Sequence, residues 1–192
     1  MLEDEESSGR VYFGEFENGE RSGEGEETCM DGTQYKGQFK FGKRSGFGIE
    51  FDSDDSEIYR GEWDDDLRHG KGILLVTFLP GGMYDGDFFQ NKFSGSGRFN
   101  FADGTSIDGQ WLDDVPQDGD WSILYPDGSK YYGFATFQPP LKKRLSNDSL
   151  SIDTTDKSLD LLRVPLPHGF GSLTHPNGQR FVGSFCFGNM TK

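Results

Sequence analysis

An aromatic residue, a spacer, a glycine, a spacer and a second aromatic residue recur along the chain. The clearest copies are Tyr12-Phe13-Gly14-Glu15-Phe16, Tyr35-Lys36-Gly37-Gln38-Phe39, Tyr59-Arg60-Gly61-Glu62-Trp63 and Tyr84-Asp85-Gly86-Asp87-Phe88. Weaker copies follow at Ile107-Asp108-Gly109-Gln110-Trp111, Tyr131-Tyr132-Gly133-Phe134-Ala135 and Phe181-Val182-Gly183-Ser184-Phe185. Rings at every second position with charged residues between them describe a strand, because successive side chains on extended backbone point to opposite faces. One face is aromatic, the other charged. A glycine between two rings leaves a gap in which a ring from a neighbouring strand can settle.

The central glycines Gly14, Gly37, Gly61, Gly86, Gly109, Gly133 and Gly183 lie 23, 24, 25, 23, 24 and 50 residues apart. A second signal keeps phase with them: Gly23-x-Gly25, Gly46-x-Gly48, Gly70-x-Gly72 and Gly95-x-Gly97. It decays to Gly119-Asp120-Trp121 in the fifth copy and returns at Gly169-x-Gly171. Asp31-Gly32, Pro80-Gly81-Gly82, Asp103-Gly104, Asp127-Gly128 and Asn177-Gly178 supply turn chemistry. A period of fixed phase identifies a repeat architecture, and about 23 residues hold two short strands and two turns with no room for a helix.

These motifs resemble the MORN (membrane occupation and recognition nexus) repeat, at seven places along nearly the whole chain. The resemblance implies an all-β fold: a single elongated antiparallel meander of tandem β-hairpin repeats, forming a twisted rod or shallow groove. It also implies an assembly platform in cytoskeletal, ciliary or membrane-junction settings. Residues 1–10 read as an acidic N-terminal tail and 11–192 as a seven-copy array of about thirteen strands. An insertion over 138–167 interrupts the array, since the step from Gly133 to Gly169 is 36 residues where other copies have nine. It opens with Pro139-Pro140, carries Lys142-Lys143-Arg144 and reads as a surface loop. Ser146, two residues after Arg144, is a candidate phosphorylation site.

Composition sharpens the picture. Only 32% of residues are hydrophobic, yet there are 18 Phe, 7 Tyr, 3 Trp and 28 Gly, which suits a thin aromatic sheet better than a thick core. A net charge of −14 repels nucleic-acid phosphates and makes lipid contact a minor expectation. Cys29 and Cys186 have no metal-like spacing, and the acidic N-terminus lacks the pattern of a secretory signal, so a cytoplasmic protein is expected.

No constellation suggests catalysis or a cofactor. His69 and His168 stand before a repeat glycine, where Ser22, Ser45 and Ser94 stand in other copies, and His175 precedes Pro176 near a turn. Asp52, Asp54, Asp55 and Glu57 lack the glycine and distant glutamate of an EF-hand loop and read as a solvated turn. The expected function is therefore a non-enzymatic scaffold or adaptor. Phe39, Trp63, Phe88 and Trp111 share one repeat position and form a candidate row for an amphipathic helix or extended peptide of a partner. The competing reading makes that row a buried packing ladder. As an alternative function, the resemblance implies a targeting or regulatory region of a larger enzyme, such as a SET-type lysine methyltransferase or a phosphoinositide kinase. The seventh copy stops at Lys192 before its own Gly-x-Gly. Either the chain continues or an open edge strand invites self-association.

Overall fold

Among the described residues, two-residue turns at Asn18-Gly19, Phe41-Gly42, Asp65-Asp66, Gln90-Asn91 and Asp113-Asp114 fold the chain into hairpins, each with positive φ at both positions. That is the type I′ geometry, whose twist matches the strands it joins. Only the first carries an Asn-Gly signal. The sequence reading marked instead the wider turns at the other strand ends, where Thr33, Thr105, Ser129 and Gln179 donate backbone N–H bonds to Asp31, Asp103, Asp127 and Asn177.

A computed structural model describes residues 2–6, 9–77, 81–137, 165–186 and 188–191. In chain order the strands are β1 (Leu2–Glu6), β2 (Arg10–Glu17), β3 (Glu20–Cys29), β4 (Gln34–Lys40), β5 (Lys43–Phe51), β6 (Glu57–Asp64), β7 (Leu67–Val76) and β8 (Gly82–Phe89). They continue with β9 (Lys92–Phe101), β10 (Ser106–Leu112), β11 (Val115–Pro116), β12 (Gly119–Leu124), β13 (Lys130–Thr136), β14 (Leu166–Thr174), β15 (Arg180–Cys186) and β16 (Asn189–Met190). Strand order in the sheet is chain order, except that short β11 pairs only with β10. The fold is an all-β antiparallel meander of tandem hairpin repeats.

Among the described residues there are sixteen strands where about thirteen were expected, for two reasons. The segment read as an acidic tail contains β1, which pairs antiparallel with β2 from Leu2↔Gly14 to Glu6↔Arg10. Short β11 and β16 add two more pairings. The insertion, together with Ser146, falls on residues outside the described set, except that Pro165 is buried and Leu166 and Pro167 already belong to β14. The register of β13 with β14 spans Thr136↔Leu166 to Lys130↔Thr174, so pairing is in phase on both sides of the insertion.

By internal contacts the chain divides into two units, residues 1–76 with 83–95 and residues 77–82 with 96–192. In the first unit, register shifts follow Gly14, Gly37 and Gly61 opposite Gly23, Gly46 and Gly70, whose φ values lie between 61° and 67°. The first glycine of each Gly-x-Gly is therefore a bulge residue in the left-handed region, where a side chain is strained. The second glycine, in the extended ladder, serves packing.

Candidate functional site

Each conserved-phase tyrosine packs in the same way. The hydroxyls of Tyr12, Tyr35, Tyr59, Tyr84 and Tyr131 donate to the backbone carbonyl three residues along, on Glu15, Gln38, Glu62, Asp87 and Phe134, at 2.6–3.0 Å. The rings of the first unit form an edge-to-face ladder. Tyr12 meets Phe39 at 4.8 Å between centroids, while Tyr35 meets Trp63 and Tyr59 meets Phe88 at 5.2 Å. Such pairs contribute about 0.5–1.5 kcal/mol each beyond their buried area.

Of the two readings of the row at Phe39, Trp63, Phe88 and Trp111, this arrangement favours the packing ladder. Phe39, Trp63, Phe88 and Trp111 are only 3–4% exposed. The indole N–H groups of Trp63 and Trp111 are spent on the carbonyls of Gly48 and Gly97. These rings pack as the ladder of the sheet and leave little surface exposed.

Arginines close the ladder. Arg21 lies 5.7 Å from the Tyr12 and Phe39 ring centres, Arg44 lies 4.4 Å from Trp63, and Arg68 lies 5.1 Å from Tyr59. Their charge is matched by Glu27, only 3% exposed and 2.6 Å from Arg21, and by Glu50, 2.6 Å from Arg68 and 3.6 Å from Arg44. In the fourth copy Phe93 takes the arginine position and stacks on Tyr84 at 3.7 Å, 10° from parallel. The sequence reading missed this layer. The signal was present as Arg21, Arg44 and Arg68, each two residues before a bulge glycine.

The repeat glycines do not share one role. A Cβ on Gly61 would lie 2.5 Å from the Cα of Gly72 and from the Tyr59 hydroxyl, and Gly37 and Gly133 meet the same obstruction from Gly48 and Gly171. Gly14 is crowded by Tyr12, and Gly86 is buried. Gly109 is covered by the ring of Trp121 instead of a tyrosine, because the fifth copy exchanges its ring from one strand to the next: Ile107 replaces the tyrosine and Trp121 replaces the second glycine. Gly183 pairs with Gly171 in the ladder and has open space where a Cβ would stand.

The opposite face is less self-contained. Phe13 is 49% and Phe47 51% exposed, and in the second unit Tyr132, Phe170 and Val182 are exposed by more than half. Within the first unit this face carries a groove of about 500 Å³ over Gly14, Gly25 and Gly37, walled by Phe13, Glu24, Glu26, Lys36, Phe47 and Ile49. Its floor is strand backbone, since side chains at positions 14, 25 and 37 would point to the other face, toward Tyr12 and Tyr35.

The other candidate chemistries resolve into local structure. Asp52 accepts the backbone N–H groups of Asp54 and Ser56 at 2.9 Å, Asp55 accepts from Gln34, and Glu57 is fixed by Arg60, which holds its carboxyl below the usual range. The acidic cluster is a turn. His69 packs against Phe89 in the first unit, while His175 contacts Ser129 at 3.2 Å and Phe181 in the second.

A comparison with curated proteins finds no match. A model of the MORN repeat matches residues 12–34, 35–56, 59–75, 84–106 and 166–180. The copy containing Ile107 and Trp121 is not among the five matched, in keeping with its relocated ring.

Proposed function

The chain belongs to the MORN-repeat family, whose repeats are non-catalytic and generally mediate protein or membrane interactions, and from that premise we propose that it is a non-enzymatic adaptor for protein partners. The observation that carries this reading is the asymmetry between the two faces. Rings on one face are consumed by the ladder, while on the other Phe13, Phe47, Tyr132 and Phe170 stay exposed without a packing role of comparable extent. Exposed aromatic residues on a rigid sheet anchor partner segments at low entropic cost. A net charge of −14 favours protein over anionic lipid. Cytoskeletal and ciliary assemblies, where proteins resembling this one act as platforms, are the settings proposed.

Affinity capture from cell extract with quantitative mass spectrometry tests the reading, using wild type beside a chain carrying Phe13→Ser, Phe47→Ser, Tyr132→Ser and Phe170→Ser. A defined set of proteins lost from the variant supports it. Identical recovery from both, with both folded, contradicts it.

A further inference from the structure

We propose that the groove over Gly14, Gly25 and Gly37 receives an extended, cationic peptide with the pattern apolar-x-basic-x-apolar, a reading that rests on the adaptor role above. The groove crosses the strands. Its floor follows the pairing Gly14↔Gly25↔Gly37, and one wall follows Phe13↔Glu26↔Lys36↔Ile49. The other wall holds Glu24 opposite Gln38, whose side-chain oxygen accepts the Phe47 amide at 3.1 Å. Apolar contacts therefore stand at its two ends, Phe13 on β2 and Phe47 with Ile49 on β5.

Three strand spacings of ~4.8 Å put those ends about 14 Å apart, which is about four residues of extended chain at ~3.3 Å each. Side chains four apart on an extended segment share a face, and so does the one midway between them. That middle position falls over Glu24 and Glu26. Lys36 lies 3.3 Å from Glu26, whereas Glu24 has no ion-pair partner among the described residues, only the Gln38 amide at 3.2 Å. One carboxylate is left for a lysine or arginine of the occupant. A helix advances ~1.5 Å per residue and would separate anchors four apart by only about 6 Å, too short for the groove.

The test is an amide-resolved nuclear magnetic resonance titration of the full chain with synthetic peptides bearing Leu-Ser-Lys-Ser-Leu or Leu-Ser-Glu-Ser-Leu between Gly-Ser flanks. The lysine peptide is expected to shift the amides of Gly14, Gly25 and Gly37, and the glutamate peptide to leave them in place. Phe47→Ser and Glu24→Gln should each weaken binding at least tenfold with unchanged melting temperature. Asp54→Asn, the same charge change on a distant turn, should have no effect. No response, shifts spread over the acidic turns, or equal weakening by Asp54→Asn would overturn the proposal. Capture of one partner alike by wild type and Phe47→Ser would overturn the groove while leaving the adaptor role standing.

Discussion

The hydroxyl of Tyr59 donates to the carbonyl of Glu62 at 2.8 Å, and it lies 2.5 Å from where a Cβ on Gly72 would stand. One contact joins the two halves of the repeat signature: the first strand's tyrosine needs the second strand's glycine as its floor.

That floor predicts a graded response to alanine. Gly72→Ala forces the Tyr59 ring off its hydrogen bond and should destabilise by about 1–3 kcal/mol, as overpacking does. Gly183→Ala meets open space and should stay within about 0.5 kcal/mol of wild type. Urea denaturation of both variants measures the difference.

Arg21 and the buried Glu27 form a part-buried pair that the fourth copy replaces by apolar residues, Phe93 and Phe99. Glu27→Leu alone removes the carboxylate from the Arg21 guanidinium, leaves it the Gly42 carbonyl at 2.7 Å, and should cost about 1–3 kcal/mol. Adding Arg21→Phe should recover most of that loss by reproducing the Phe93 stack on Tyr84. A double-mutant cycle by chemical denaturation checks the sign of the coupling.

Burial pushes the Tyr131 phenol up to about 12 and pushes Tyr35 and Tyr59 in the same direction. An unfolded tyrosine titrates near 10, so between about pH 10 and about pH 12 the unfolded chain loses its protons first and stability falls. Below pH 10 this contribution is fully present. Denaturation midpoints across that range should decline, and Tyr131→Phe should flatten the slope.

Much of the fold was legible because the aromatic-x-Gly-x-aromatic strand and the Gly-x-Gly bulge are local, period-two signals. The type I′ turns were less so: Phe41 and Gln90 take positive φ because the flanking strands impose the geometry, and only Gly42 and Asn91 after them prefer it. The candidate site was legible only in part. Sequence places Phe39 and Phe47 on strands but cannot tell a ring spent on packing from a free one. That depends on whether a tyrosine from the neighbouring hairpin reaches it, as Tyr12 reaches Phe39. The relocated ring of Trp121 was hidden for the same reason, since the gap over Gly109 is filled from the next strand.

The division of labour between the two faces is tested most directly by thermal and chemical denaturation of Phe39→Ala beside Phe47→Ala. Phe39 is 4% exposed within the ladder, so its loss should cost about 3–5 kcal/mol, whereas Phe47, 51% exposed, should change stability by no more than about 0.5 kcal/mol. Equal midpoints for the two variants, or a larger loss at Phe47, would contradict the account.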